Sequence, residues 1–367
     1  MIYLLCYVAS SFFAYVAYKS KAKPAVIIWS VLSIAVTVIL AGLRDYSIGI
    51  DVENYRTFHL YWGRASAAGN LGEYLKFYSK FEHEYIFALL IGSIAQYIGD
   101  FRLFLFVCHT VIITGIYMGA YRQRKNVNPA IVMFLFYLYF YSHSLNVMRQ
   151  YMAMAIIFAF FADIQEGKYF RYTVVVFISM LIHTTAFIGL APMIMYVFLK
   201  HKKYFGAPKR KKKMVVFLLL CGLILFVPLI KIMMSLGFLS GFAYYIEGDE
   251  KGWPIIVTAF LLVELIGVYI FRRQFKMASP YSDFFVMCSI AYILLQQLGG
   301  LMNYGKRIAA YFSLANIITI ALLTRSSKQN DNKLLINAGV ITLSLLYWFY
   351  IYVIQNASQT YPYVLGV

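Results

Sequence analysis

The chain has 367 residues, 62% of them hydrophobic and only 13% charged, with a mean hydropathy of +0.70. A soluble globular protein is about 45–50% apolar and about 25% charged, so this composition excludes one and points to a polytopic membrane protein. A net charge of +18 would suit nucleic acid, but here the basic residues flank apolar runs, so they read as the ends of membrane helices facing anionic lipid headgroups.

In chain order, apolar runs predict twelve spans at about 1–18, 24–42, 103–121, 129–146, 149–163, 171–183, 185–199, 214–235, 255–271, 283–301, 308–324 and 334–354. The expected fold is all-α, a single membrane domain over 1–367. The first run lacks a basic n-region and a cleavage site, and reads as a retained span rather than a signal peptide. Segments within 149–199 are short for a bilayer and are expected to be tilted or broken. Cys6, Cys108, Cys221 and Cys288 each lie in an apolar run without paired or metal-ligand spacing, which makes them small core residues.

Orientation follows from Lys and Arg in short loops. Six clusters hold 22 of the 33 basic residues: Lys19/Lys21/Lys23, Arg122/Arg124/Lys125, Lys168/Arg171, 200–213, Arg272/Arg273/Lys276 and Arg325/Lys328/Lys333. Placing all six in the cytoplasm puts both ends of the chain outside. The strongest anchor is Lys209–Lys213 within the basic cytoplasmic loop 200–213. The apolar segment 84–99 disturbs this count. As a crossing it would move Arg122 to the outside, so it is expected to be re-entrant or interfacial on the outer face. The long outer loop is then 43–83, rich in Tyr, Gly and charge, with 71–81 a candidate amphipathic helix.

Few polar residues fall on that outer side. Arg44 leaves the second span and faces Asp51 and Tyr55 across a glycine-containing turn; it either pins the loop to Asp51 or serves a ligand. Asn146, Arg149 and Gln150 open a helix, where unpaired N–H groups and an Arg fork together suit phosphate. His183 lies between two apolar pieces on the same face, and is either a satisfied structural group or a base. Arg307 begins an inward helix as Arg149 does. Glu264 sits mid-span, where a carboxylate is a functional candidate or a paired or protonated group. His109 and His143 read as packing residues, and Lys231 as snorkelling. No Gly-rich phosphate loop, CxxC pair or HExxH helix is present. Three Arg, one His and one Asp among tyrosines fit a lipid-pyrophosphate-linked sugar handled outside the membrane.

At these residues the chain resembles the EpsG family of Wzy-like bacterial polysaccharide polymerases. The matching pieces are Gly42-Leu43-Arg44 with Ile48-Gly49-Ile50-Asp51-Val52-Glu53-Asn54-Tyr55, then Asn146-Val147-Met148-Arg149-Gln150 with Ala153. Further on come Ile182-His183-Thr184 with Ala186, Arg307 with Tyr311-Phe312, and Tyr361-Pro362-Tyr363. Glu82-His83-Glu84-Tyr85 looks like the family's acidic-aromatic helix start. Where the family more often has Thr on either side of the Asp, this chain has Ile50 and Val52.

The resemblance implies transfer of a growing glycan from undecaprenyl pyrophosphate to a second lipid-linked repeat unit, on the outer face of a bacterial cytoplasmic membrane. It implies the architecture of the C-type membrane glycosyltransferases, no metal and no nucleotide cofactor. Arg149 and Arg307, with Arg44, would stabilise the departing pyrophosphate. Asp51 or His183 would take the acceptor proton, Asp51 preferred for its mobile-looking loop and His183 then assisting at the pyrophosphate. Tyr55, Glu84, Asn146, Gln150 and Tyr363 are candidate substrate contacts. Expected partners are the lipid-linked oligosaccharides, the bilayer and a chain-length regulator, with no nucleic acid. An O-antigen ligase is the nearest rival enzyme, disfavoured by short late outer loops. A flippase or transporter is the non-enzyme rival, favoured by Glu264 and disfavoured by the lack of a visible repeat.

Overall fold

The computed structural model describes residues 1–67, 72, 84–200, 209–235, 252–303, 305–326 and 333–366. The expected helix at 71–81, Glu82 and His83, most of the basic loop 200–213 and most of the outer loop 237–253 lie outside the described residues. The described chain is helical, and its extended pairing is limited to an isolated bridge between Arg44 and Leu365.

Six helices are long and apolar enough to cross a membrane: Ile2–Lys19 (α1), Lys23–Gly42 (α2), Phe101–Arg122, Ser282–Gly300, Lys306–Arg325 and Lys333–Ile354. A seventh span exists if Ile255–Ile270 and Arg272–Ala278, bent by 86°, count together. The protein is therefore a multi-pass membrane protein. The difference from twelve runs lies chiefly where the sequence is already short. The run at 129–146 divides into Pro129–Phe136 and a π-helical turn Tyr137–Tyr141. The run at 149–163 gives only the twelve-residue helix Met148–Ala159 followed by Ala162–Glu166. Those at 171–183 and 185–199 give Tyr169–Met180, a 3-10 turn Thr184–Gly189 and Leu190–Lys200.

The chain forms two compact units, Met1–Phe187 with Ser344–Val367, and Ile188–Leu343. In the first unit, with α3 as Val52–Ala67, α4 as Tyr85–Tyr97, α5 as Phe101–Arg122, α6 as Pro129–Phe136 and α7 as Met148–Ala159, packing relies on small residues. A Cβ on Gly115 of α5 would lie 2.6 Å from the Ala155 carbonyl oxygen of α7, and one on Gly119 would meet the Phe158 ring at 2.3 Å. Gly92 of α4 takes the Trp62 indole of α3 in the same way. In hydrocarbon, where the hydrophobic effect does not draw helices together, such close backbone approach is what makes them pack.

Several polar side chains inside this unit pair across helices, which suits an apolar surrounding. Ser10 of α1 reaches the Ser33 carbonyl of α2 at 2.6 Å and the Tyr137 hydroxyl at 2.6 Å, and Tyr141 donates to the Thr37 carbonyl at 2.6 Å. The rings of Tyr7 and Tyr137 stack with centroids 5.1 Å apart.

The unit has two chemically distinct ends. At one, the buried Asp163 carboxylate is held by Arg122, which closes α5, and by Arg171 at 2.5 Å. At the other, α5 begins, and Phe101 packs against Tyr46 and His59. Both ends of α4 belong to this second end: Glu84, just before it, reaches Arg149 and His183, and Phe101 follows four residues after it.

Replacing Gly115 by Leu is expected to force α5 and α7 apart, at a cost of about 1–3 kcal/mol or more from overpacking. Thermal unfolding in detergent should show a clear loss. Gly339→Ala, with nothing within 4 Å of its added Cβ, should leave the midpoint unchanged or raise it.

Candidate active site

Glu84 precedes α4 and is almost fully buried, with 2% of its side chain exposed. Its position is fixed by main-chain bonds on either side: the Ala88 amide donates to the Glu84 carbonyl, and the Ile86 amide donates to the Leu181 carbonyl at 2.9 Å. The second of these ties the start of α4 to the end of Tyr169–Met180. The Glu84 carboxylate accepts from three donors. Arg149 Nη1 lies 2.7 Å from Oε2, His183 Nδ1 2.6 Å from Oε1, and the Thr184 amide 3.1 Å from Oε1. Charged hydrogen bonds of this kind are the strong ones, and a carboxylate has room for about four.

Arg149 is the second residue of α7, so its guanidinium lies where the helix dipole is positive. The planar group lies over the rings of Phe87 and Tyr55, 5.5 and 5.8 Å from their centroids. Burial pushes the Tyr55 phenol up, the neighbouring Arg149 opposes this, and the Asp51 carboxylate adds to it. Tyr55, Arg149 and Asp51 are thus electrostatic neighbours. The Asp51 amide donates to Asn146 Oδ1 at 2.6 Å, joining the start of α3 to the turn before α7. Gln150 is buried beside Arg149 in sequence.

Five sequence candidates therefore gather at one end of the first unit: Asp51, Tyr55, Asn146, Arg149 and His183, with Glu84 in their midst. Three others are placed differently. Arg44 is fully buried, its Nη1 donating to the Ala41 carbonyl at 2.7 Å and its Nη2 to the Leu145 carbonyl at 2.9 Å. Burial pulls this guanidinium down to about 10, against the opposing pull of the Tyr141 and Tyr3 phenols. Tyr363 donates its hydroxyl to the Leu40 carbonyl at 3.0 Å. Arg307 begins a helix, as the sequence suggests, but in the second unit. Glu264, also in that unit, is buried and accepts from Asn316 at 3.2 Å. His143 meets the Tyr151 hydroxyl at 3.1 Å, and His109 the Leu105 carbonyl at 2.9 Å.

Sequence reasoning ranks Glu84 only as a substrate contact and misses its central place. The available signal is a carboxylate opening an apolar helix on the same face as two basic candidates. Among the described residues, no group of three or more His, Cys, Asp or Glu gathers to hold a metal.

The family model for EpsG matches residues 27–365, nearly the whole chain. The chain belongs to the EpsG family. No curated protein and no solved structure matches it. EpsG membership suggests a polysaccharide-polymerase-like membrane protein of glycosyltransferase type, and the matched region contains every residue of the Glu84 cluster.

Glu84→Ala is expected to destabilise strongly, because it strands the Arg149 charge in a largely buried place. Losing one partner of such a pair costs roughly 3–5 kcal/mol. The measurement is the unfolding midpoint of purified protein in detergent. Glu84→Gln, which can still accept from the Thr184 amide, should lose less. An alanine variant as stable as the parent would show that Glu84 does not organise this end.

Proposed function

We propose that the protein is a polysaccharide polymerase that moves a growing glycan from undecaprenyl pyrophosphate to the sugar of a lipid-linked repeat unit. The observation that carries this reading is the single carboxylate, Glu84, that joins a helix-opening Arg to a His within an EpsG chain. The step breaks the bond between the donor's anomeric carbon and the pyrophosphate oxygen. An acceptor hydroxyl oxygen forms the new glycosidic bond, its proton passes to a base, and the pyrophosphate departs with the lipid.

Arg149 is the group that meets the growing charge on the pyrophosphate. A guanidinium carries five N–H donors, so pairing with Glu84 does not exhaust it. Fixed against Glu84 and two aromatic faces, it needs little rearrangement as charge develops, which is what lowers a barrier rather than merely tightening binding. His183 is the better base. With Nδ1 bonded to Glu84, the neutral ring donates there and presents Nε2 as the proton acceptor, the arrangement in which a carboxylate orients an imidazole. This reverses the preference for Asp51 that the sequence alone supports. Asp51 lines the acceptor side near Tyr55.

The bilayer placement follows the same logic. The end bearing Glu84 faces outside, and the end bearing Arg122, Asp163 and Arg171 faces the cytoplasm, as the positive-inside rule requires. In this placement 84–99 is an interfacial or re-entrant helix rather than a crossing, a reading supported by the bonds from Glu84 to Arg149 and His183 and by the short link from α4 to Phe101. The twelve-span arrangement of the C-type glycosyltransferases remains the expected topology.

The test is polymerisation by purified, reconstituted protein fed lipid-linked repeat units, with product length read on a gel. Arg149→Lys keeps the charge but loses the fork, and is expected to slow turnover roughly a hundredfold, the typical effect of removing one strong donor to a developing charge. His183→Gln should lose the acidic limb of the pH–rate profile, and Asp51→Asn should retain it. Normal long chains from Arg149→Lys would remove Arg149 from the chemistry. Loss of the limb in Asp51→Asn alone would return the base to Asp51.

A further inference from the structure

Arg44 is a buried cation that, among the described residues, meets no carboxylate; its Nη donors go to main-chain carbonyls and to the Met148 sulfur at 3.6 Å. The two carbonyls belong to different elements: Ala41 lies in the last turn of α2, and Leu145 in the turn that leads into Arg149. On its other side the Arg44 backbone pairs with Leu365. The segment around Leu365 is bonded along the whole loop 43–49. The Asp45 amide donates to the Val364 carbonyl at 2.9 Å, the Gly49 amide to the Gln359 carbonyl at 3.2 Å, and the Gly366 amide to the Leu43 carbonyl at 2.8 Å. The segment is itself anchored, by Tyr3 donating to the Thr360 carbonyl at 2.7 Å, by Tyr363 on Leu40, and by Arg102 donating to the Gly366 carbonyl at 3.2 Å.

The loop so held ends at Asp51, whose amide is bonded to Asn146. Gly49 makes the approach possible. Its φ of +103° belongs to glycine, and a Cβ there would lie 3.2 Å from the Leu145 carbonyl oxygen. One continuous set of bonds thus runs from 359–366, through loop 43–51, to the turn 145–147 and Arg149.

We propose that Arg44 and the segment 356–366 are positioning elements: they hold the Asp51 loop and the Arg149 turn in register while touching no substrate themselves. This rests on the reading of Arg149, Asp51 and Asn146 as site residues. It gives Arg44 and Tyr363 a different task from the pyrophosphate and substrate contacts that sequence suggests. The physical reason for such an apparatus is precision: a misplacement of about 1 Å at a reacting group can cost roughly a hundredfold in rate.

Three variants test it: a chain ending at Gln355, Gly366→Val, and Arg44→Lys. A Cβ at Gly366 would lie 2.8 Å from the Arg44 carbonyl oxygen, so Val displaces the segment without removing it. Amide hydrogen exchange reads the loop directly and needs no activity. The Asp45 and Gly49 amides are expected to exchange at least about tenfold faster in the first two variants, while the Ser10–Tyr137 core stays protected. In reconstituted polymerisation, all three should lose about tenfold or more in kcat with KM for the lipid-linked donor within about twofold, the mark of lost orientation rather than lost binding. Each should also combine with Asn146→Ala less than additively, since both act on the same loop. Unchanged exchange, unchanged turnover despite faster exchange, or strict additivity with Asn146→Ala would each overturn the proposal. If the truncated chain fails to fold, the two point variants decide. If Arg149→Lys and His183→Gln both polymerise normally, the functional reading falls, and exchange still decides whether the segment holds the loop.

Discussion

The buried Glu84 carboxylate is the interaction on which the rest of the site depends. It draws together three pieces of chain that are far apart in sequence: the start of α4, the start of α7 and the junction after Tyr169–Met180. Its cost is high, because an isolated carboxylate in an apolar environment is strongly disfavoured unless paired and fully hydrogen-bonded. Three donors meet that demand. The same pairing holds Arg149 and His183 against one carboxylate, so the geometry of this end of the unit rests on Glu84.

Around that carboxylate, the fold divides labour between helices and connections. The helices supply rigid, close-packed walls, with Gly115 and Gly119 of α5 against α7 and Gly92 of α4 against Trp62. The connections supply the ionisable groups of the candidate site, which lie at helix ends where main-chain groups are unpaired and dipoles concentrate. The loop 43–51 is tied to Asn146 on one side and to 359–366 on the other. The far end of the unit uses the opposite electrostatic plan: the buried Asp163 carboxylate is shared by Arg122 and Arg171, and Arg122 also meets Glu166.

Much of this was legible in the residues. Long, mainly apolar runs such as 24–42 and 103–121 announce their helices, because a run of that length and composition is what a bilayer-spanning helix needs. The helix-opening placement of Arg149 and Arg307 could be read from Asn146-Val147-Met148-Arg149 and Gly305-Lys306-Arg307. What could not be read was distance across the fold. Glu84 is 65 positions from Arg149 and 99 from His183, and no periodicity reports that they meet. Arg44 illustrates a different limit. An Arg beside a glycine-containing turn suggests an anion, and only its burial and its bonds to Ala41 and Leu145 show that its partners are carbonyls of its own chain. The run at 129–146 was read as one plain span, and its π-helical turn at Tyr137–Tyr141 has no composition that marks it.

The central claim is that Glu84 orients His183 through Nδ1, and the protonation of the two ring nitrogens tests it most directly. Nitrogen-15 NMR of histidine-labelled protein, with the His183 signal assigned by difference against His183→Gln, separates them at a pH where the protein polymerises. The expected result is a proton on Nδ1 and a bare Nε2, a pattern lost in Glu84→Gln. A proton on Nε2 with a bare Nδ1, or a spectrum that Glu84→Gln leaves untouched, would contradict it.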